Sequence, residues 1–173
     1  MEIAAQLFAR KGYRGTSIRE IGEEAGVLGG SLYHHIRSKD ALFVELHDTA
    51  LDAAAGKIAL AIEPETDPWK RLEAASVALL EIQLDPGSLT LPMMNDFREV
   101  PPDIRDQLIV RRDRFEELFA DIVRDLPLPH HIDRQLYRIM LLTQLNKAGD
   151  WYRPGRLTPR EIALQIVAIF RKN

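Results

Sequence analysis

A short segment near the N-terminus holds the side chains best suited to contact a nucleic acid. Its hydroxyl, phenol and imidazole groups follow a pair of glycines, and the set is Gly29, Gly30, Ser31, Tyr33, His34 and His35. Because glycine has no Cβ, the backbone at Gly29 and Gly30 can approach a phosphate or a base closely. A metal site at His34 and His35 is disfavoured, since neighbours on a helix point about 100° apart.

Two further positions favour phosphate binding. Thr16 precedes Ser17-Ile18-Arg19-Glu20, a capping box that begins a helix, and the first amides of that helix form an anion site. Lys39 begins a later helix and can reach a second backbone phosphate. The net charge is −3, but the stretch from Val27 to Lys39 contains two basic residues and no carboxylate. Positive charge is therefore expected at one end of the molecule.

Helical periodicity positions these residues. Apolar residues from Ile3 to Phe8 line a first helix, which ends at Gly12. The capping box begins a second helix, which ends at Gly26. A third helix spans about Gly30 to Ile36. Two short helices separated by a glycine-containing turn predict a helix-turn-helix, whose second helix enters the major groove of DNA.

The same residues carry a resemblance to a known family. The matching stretches are Phe8 to Ile18, Ile21 to Val27 and Gly30 to Phe43. Over about residues 3–45 the chain resembles the DNA-binding domain of the TetR family of transcriptional regulators. The resemblance implies a helix-turn-helix domain at residues 1–45 and a helical ligand-binding and dimerisation domain at residues 46–173. It also implies a repressor that a small apolar effector releases from a near-palindromic operator in double-stranded DNA.

Carried across position by position, the resemblance assigns two kinds of DNA contact. The phosphate contacts fall on Thr16, Tyr33, His35 and Lys39, with Ser17 beside them, and the base-reading positions fall on Gly29, Gly30, Ser31 and His34. Leu28 and Gly29 stand where polar or basic residues are common, which leaves the base preference open. Family members usually begin several residues earlier, often with a basic arm, so some affinity for the DNA backbone is expected to be missing.

Helical periodicity continues through the rest of the chain, and no segment alternates convincingly as a strand would. We therefore expect an all-α protein of about nine helices. Ser38 caps a fourth helix to about Ile62, and proline-containing breaks separate the helices that follow. These are predicted at Trp69 to Leu84, Leu89 to Phe97, Pro101 to Asp125, Ile132 to Ala148 and Thr158 to Arg171, with a loop at Asp150 to Leu157.

Large apolar side chains of the body are candidates to line an effector cavity, and two arginines are available for an acidic group. The set is Trp69, Leu72, Met93, Met94, Phe97, Arg111, Arg112, Phe115 and Phe119. The same spacing also describes a packed core, and the arginines could instead be solvated or bonded to nearby carboxylates. Both interpretations stay open.

The last two predicted helices are apolar over more than one face, which is too much for a helix with a single buried side. Such helices need one partner inside the chain and one outside it, so we expect a homodimer. The candidate interface residues are Leu136, Ile139, Met140, Ile162, Ile166, Ile169 and Phe170.

The segment from Trp151 to Gly155 resembles a loop in TetR-family regulators that sense fatty-acid or steroid-derived coenzyme A thioesters. An acyl coenzyme A is therefore the first candidate for the effector. The alternative is a turn anchored by Trp151 that orders the helices on either side of it.

The remaining observations exclude classes of protein. There is no cysteine, so disulfides and thiolate metal sites are excluded. No run of about 18 apolar residues exists, and we expect a soluble, cytoplasmic protein. Nucleophile elbow, glycine-rich phosphate loop and HExxH motifs are absent, so neither an enzyme, nor a cofactor, nor a metal is predicted. A helical module that binds only other proteins is the alternative.

Overall fold

The computed structural model describes residues 1–26, 36–85 and 99–171, and within these ranges it contains helices and no strand. The helices are α1 (Glu2–Gly15), α2 (Ile18–Glu24), α3 (Lys39–Ile62), α4 (Pro68–Leu84), α5 (Pro102–Asp125), α6 (Arg134–Asn146), α7 (Ala148–Trp151) and α8 (Pro159–Arg171). Seven of them have seven residues or more, and α7 is a single turn. The all-α class is therefore confirmed for the described residues.

The predicted helix bounds agree with the structure with few exceptions. Two predicted helices, at about Gly30 to Ile36 and Leu89 to Phe97, fall largely or wholly outside the described residues, so the total of about nine stays a prediction. The helix predicted to run from Ile132 to Ala148 instead divides into α6 and α7. As a result, the predicted loop at Asp150 to Leu157 begins later, because its first two residues belong to α7.

Side-chain caps explain where most helices begin. Ser17 accepts a hydrogen bond from the backbone N–H of Glu20 at 3.2 Å, and Ser38 accepts one from the N–H of Ala41 at 3.0 Å. At the start of α8, Thr158 and Glu161 form a reciprocal capping box. The backbone and side-chain hydrogen bonds from Thr158 lower the pKa of Glu161. The predicted caps at Ser17, Ser38 and Thr158 are confirmed.

Glycine ends the first two helical runs, as predicted. Gly12 interrupts α1 with φ 73° and ψ 174°, a backbone conformation that is almost exclusive to glycine. Gly26 follows α2 with φ 66°. The chain therefore turns sharply at Gly12 before the short continuation of α1 to Gly15.

The described residues divide into two compact units, the first within Met1–Leu51 and Leu89–Arg112 and the second within Asp52–Ser88 and Asp113–Asn173. The helices α3 and α5 each supply residues to both units. The first unit has a core in which Val100, Ile104 and Leu108 join the apolar side chains of α1 to α3. The predicted domain boundary at residue 45 assigned those three residues to the second domain, and that boundary stays a prediction.

The core of the second unit lies between α3, α4, α5, α6 and α8. Its fully buried members are Ile58, Leu72, Ala75, Leu79, Phe119, Ile122, Val123, Leu126, Leu141, Leu145 and Val167. A smaller cluster joins Val77 and Leu80 of α4 to Ala148, Ile162 and Ala163. Each of these helices therefore has one face covered by its own chain.

The Gly12 turn predicts a clear contrast between two glycine substitutions. Gly12→Ala should lower the free energy of unfolding by about 1–3 kcal/mol, because alanine is strained at this φ and ψ. Gly56 lies inside α3, and a Cβ added there meets no atom within 4 Å. Gly56→Ala should therefore raise the stability by roughly 0.5–1 kcal/mol. Urea unfolding at one protein concentration measures both, and equal effects of the two substitutions would contradict the assigned Gly12 conformation.

Candidate DNA interface, effector region and dimer face

The ammonium group of Lys39 joins the end of α1 to the start of α3. Its Nζ donates hydrogen bonds to the backbone oxygens of Tyr13 at 3.0 Å and Thr16 at 3.1 Å, and it lies 4.2 Å from the centroid of the Tyr13 ring. A cation at the carboxyl end of a helix is favourable, since the last carbonyls carry a partial negative charge. Lys39, predicted to contact phosphate, therefore has internal partners in the unbound protein.

Tyr13 anchors the same junction from the apolar side. Its ring packs edge-on against Phe43 and parallel to Phe8, and its hydroxyl donates to the carboxylate of Asp40. Burial, followed by the hydrogen bond to Asp40, raises the pKa of Tyr13 well above its usual range. The residue therefore stays a neutral donor at any physiological pH.

Thr16 and Ser17 also have partners inside the chain. Thr16 is buried, and its hydroxyl donates to the backbone oxygen of Gly12 at 2.9 Å, while Ser17 caps α2. Both hydroxyls thus fix the backbone between α1 and α2. Whether this segment also binds phosphate, as predicted, is not tested by these contacts.

The other predicted DNA contacts lie outside the described residues. They are Gly29, Gly30, Ser31, Tyr33, His34 and His35. Their roles as phosphate contacts and base-reading positions stay predictions.

Most cations on α1 and α2 are neutralised locally. Arg10 pairs with Glu24 at 3.3 Å, Arg19 pairs with Glu23 at 2.8 Å, and Lys11 pairs with Glu20. The hydrogen bond from Lys11 is the main reason that the pKa of Glu20 is lowered. Among the described residues, by contrast, no ion pair includes the exposed Arg14 or Arg37. Neither arginine was predicted as a contact, although Arg14 stands two residues before Thr16 and Arg37 two residues before Lys39 in the sequence.

The described members of the predicted effector lining belong mainly to the core of the second unit. Trp69, Leu72 and Phe119 are buried there, and the half-buried Phe115 packs against them with its ring 6.4 Å from that of Phe119. Met93, Met94 and Phe97 lie outside the described residues. The structure therefore brings four of the predicted apolar residues into one cluster, and it leaves their contact with an effector untested.

The two predicted arginines, Arg111 and Arg112, are both half-buried in α5. Arg111 forms an ion pair with Asp48 of α3 and also donates to the backbone oxygen of Gln107 at 3.1 Å. For Arg111 the structure thus agrees with the alternative left open above, bonding to a nearby carboxylate.

Within its own chain, Trp151 does not anchor the segment that follows α6. That side chain is 55% exposed, whereas Tyr152 and Leu157 pack against the small cluster around Leu80 and Ile162. The cations of this segment, Arg153 and Arg156, are exposed. The indole and two guanidinium groups therefore face solvent at one end of α7.

An exposed apolar face covers one side of α6 and part of α8. Ile139 is 44% exposed and Ile169 is 67% exposed, and Leu136 and Met140 are exposed beside Ile139. Ile166 and Phe170 are half-buried against the chain's own core. Ile162 is only 5% exposed and packs against Val77 and Leu80. Of the predicted interface residues, Ile162 is therefore the one that its own chain already covers.

Comparison with models of known protein families identifies the family of this chain. Residues 1–46 match the model described as bacterial regulatory proteins, tetR family, and residues 65–173 match the tetracyclin repressor-like, C-terminal domain. The chain belongs to the TetR family. The predicted resemblance to the TetR family is confirmed. Because the members of this family are regulatory proteins, the chain is a regulator and not an enzyme.

Individual relatives extend along nearly the whole chain. The HTH-type transcriptional repressor KstR2 of Rhodococcus jostii (strain RHA1) is 32% identical over 98% of this chain and 86% of its own length. The structure of the ketosteroid transcriptional regulator KstR2 of Mycobacterium tuberculosis is 25% identical, with a TM-score of 0.73, covering 98% of this chain and 87% of that one. AibR in complex with isovaleryl coenzyme A and operator DNA shares the fold, with a TM-score of 0.82 at 22% identity over 97% of this chain and 94% of that one.

The described helices include none that is long and apolar enough to cross a membrane.

Lys39 can be tested for its two roles separately. Lys39→Ala should lower the free energy of unfolding by about 1.5–3 kcal/mol, because two hydrogen bonds from a cation are lost. If Lys39 also meets a phosphate, the slope of log affinity for DNA against log salt should fall by about 0.9. Lys57 is an exposed lysine of α3, and Lys57→Ala should change neither quantity. Loss of stability with an unchanged salt slope would contradict the phosphate contact.

The exposed apolar face predicts a substitution that prevents dimerisation and leaves the fold of each subunit intact. Ile139→Glu should yield folded monomers in sedimentation, because it places a charge where two chains would meet and leaves the chain's own core intact. Ile166→Glu is less informative, since Ile166 packs against that core. Leu60 of α3 is 70% exposed, and Leu60→Glu serves as the control. A helical Ile139→Glu protein that sediments as the wild-type dimer would show that the face is not the interface.

Proposed function

We propose that this chain is a ligand-responsive TetR-family repressor that binds a near-palindromic operator as a homodimer and is released by a small apolar effector. The observation that carries the proposal is that family models match both the N-terminal residues 1–46 and the body from residue 65 onward. A protein with both parts has a region for DNA and a separate region for a signal. Such a regulator acts in the cytoplasm, where its operator is accessible.

The DNA contacts in this proposal come from two sets of residues. Ser31 and His34, with the backbone at Gly29 and Gly30, read base edges, while Tyr33 and His35 contact phosphates. Lys39, Arg14 and Arg37 add positive charge beside them. Contacts to phosphate fix the orientation on the duplex, and contacts to base edges supply the specificity.

The homodimer follows from the apolar face of α6 and α8. Leu136, Ile139 and Met140 are exposed on α6 and Ile169 is exposed on α8, and large exposed apolar patches mark sites of protein–protein contact. Two-fold pairing of this face would present two reading helices about 34 Å apart, or a small multiple of that distance, on one face of the duplex.

The effector that we favour is an acyl coenzyme A, with a steroid-derived acyl group as one form. The name of the M. tuberculosis relative refers to ketosteroids, and AibR was solved with isovaleryl coenzyme A. In this chain the exposed Trp151, Arg153 and Arg156 offer stacking and charge for an adenine ring and its phosphates. The apolar acyl part would occupy the core region around Trp69, Phe115 and Phe119.

Coupling between effector and DNA then needs only a modest free energy. The helices α3 and α5 each supply residues to both compact units, so a displacement within the body can reach the DNA-reading part along either helix. Coupling of about 1–3 kcal/mol corresponds to a 5–150-fold change in affinity for the operator.

A selection of bound sequences from random duplexes, followed by gel-shift titration with effectors, tests the proposal. The selected sites should contain two inverted half-sites, and an acyl coenzyme A should weaken binding to them by about 5–150-fold. Free coenzyme A is the matched control, because it has the nucleotide without the acyl group. Recovery of no preferred sequence would contradict the DNA-binding role. A preferred sequence whose binding no acyl coenzyme A alters would contradict the effector class alone.

A further inference from the structure

A buried hydroxyl interrupts the inward face of α4. Leu72, Ser76 and Leu79 lie on the same side of this helix, and Ser76 has no accessible surface. Its Oγ has no hydrogen-bond partner in the structure. A serine inside a helix usually bonds to the carbonyl four residues earlier, and Ser76 does not. The hydroxyl is therefore a buried donor whose partner is still to be supplied.

An arginine occupies the corresponding face of α6. At 100° per residue, Arg138 falls on the same side as the buried Leu141, Leu142 and Leu145. Its Nε is buried and has no hydrogen-bond partner, and the ion pairs among the described residues do not include it. The exposed apolar face of α6, with Leu136 and Ile139, is on the other side. The half-buried Arg138 therefore lies on the inward side of α6, with its Nε covered, and not on the exposed apolar face.

The ends of α4 and α6 show that the two helices run parallel. Near their starts, Arg71 pairs with Asp125 at 3.5 Å, and Arg134 donates to the backbone oxygen of Leu126 at 3.1 Å. At their other ends, Gln83 donates to the side-chain oxygen of Asn146 at 2.6 Å. Both starts thus meet at residues 125–126, and both ends meet at one amide pair.

This register brings the two unpartnered groups to the same level. Ser76 lies seven residues before Gln83, and Arg138 lies eight residues before Asn146, a step of about 10–12 Å along each helix. Ser76 Oγ and Arg138 Nε therefore lie at one level of two helices that both contribute to the core around Phe119 and Val167. Two buried polar donors at one level, neither with an acceptor, are what an oxygen-bearing ligand requires.

We propose that Ser76 and Arg138 form a polar subsite for the acyl oxygen of the effector, either the carboxylate of a free acid or the thioester carbonyl of its coenzyme A ester. The inference rests on the proposed function, since it assumes an effector inside the body. Arg138 supplies a charged donor and Ser76 a neutral one, while the surrounding leucines contact the hydrocarbon. The subsite selects acyl compounds over hydrocarbons of the same size, because only the acyl compounds satisfy both donors.

Octanoate, octanoyl coenzyme A and octane serve as probes. Arg138→Met should weaken the binding of at least one oxygen-bearing probe by about ten-fold or more, as expected for a lost hydrogen bond from a charged group, and should leave octane unchanged. Ser76→Ala should weaken the same probe by a smaller factor. Loss for octanoate indicates the carboxylate, and loss for octanoyl coenzyme A indicates the thioester carbonyl. Arg114 is an exposed arginine of α5, and Arg114→Met is the matched control, with no change expected.

A second measurement needs no ligand. Because Arg138 has a buried nitrogen without a partner, Arg138→Met should raise the melting temperature of the free protein by about 2–4 °C; Arg138→Gln is the alternative if the methionine variant does not fold. A fall in melting temperature for both variants would mean that Arg138 has a structural partner, and would overturn the proposal. Folded variants that bind octanoate and octanoyl coenzyme A as the wild type does would also overturn it.

The operator assay separates this inference from the proposed function. Arg138-dependent binding of a probe that never releases operator DNA would support the subsite and contradict the regulatory role of the ligand. Release of operator DNA by octanoyl coenzyme A from the wild type and from Arg138→Met alike would support the regulator and overturn the subsite.

Discussion

A helix that is apolar around most of its circumference has to be covered on two sides, and this requirement governs the second unit. In α8, Ile162, Ala163 and Val167 are buried in the clusters to which α4 contributes, while Ile169, one residue before Phe170 near the end of the helix, is exposed. The helix α6 repeats the pattern, with Leu141 and Leu145 inside and Ile139 outside. One chain can cover only the inner faces, so a second copy is the natural cover for the outer ones. In a family whose members bind operator DNA as dimers, the same pairing also joins two DNA-binding regions in one molecule.

Local signals in the sequence were sufficient to predict most of the fold. Periodicity found each described helix of seven residues or more, and caps such as Ser17, Ser38 and Thr158 fixed where several begin, because these signals act within four residues along the chain. The single turn α7 was not predicted, since four residues are too few for periodicity to register. The difference in burial between Ile162 and Ile169 was also beyond local signals. The two residues are seven positions apart and share a face of α8, but only Ile162 packs against Val77 and Leu80 of α4.

Contacts between distant residues were not predictable in the same way. The pairing of Arg111 with Asp48 joins residues 63 positions apart, and no local spacing indicates it. Lys39 was identified as a cation suited to phosphate, but its bonds to the carbonyl oxygens of Tyr13 and Thr16 appear only once α1 and α3 are packed together. Trp151 was expected either to contact a ligand or to anchor a turn, and its exposure shows that it does not anchor the turn within its own chain. In each case the residue type indicated which interactions were possible, and the tertiary structure determined which residue the side chain contacts.

The core of the first unit bears on how a signal reaches DNA. Val100, Ile104 and Leu108 pack with the apolar side chains of α1 and α3, so residues 1–45 alone would leave part of that core uncovered. Two of these three residues belong to α5, and the same helix continues to Phe119 and Ile122 in the core of the second unit. Protein interiors are close-packed and have low compressibility, so a displacement at one point strains the neighbouring side chains. We infer that a ligand that shifts α5 also displaces Ile104 and Leu108 in the core of the first unit, and does not depend on α3 alone.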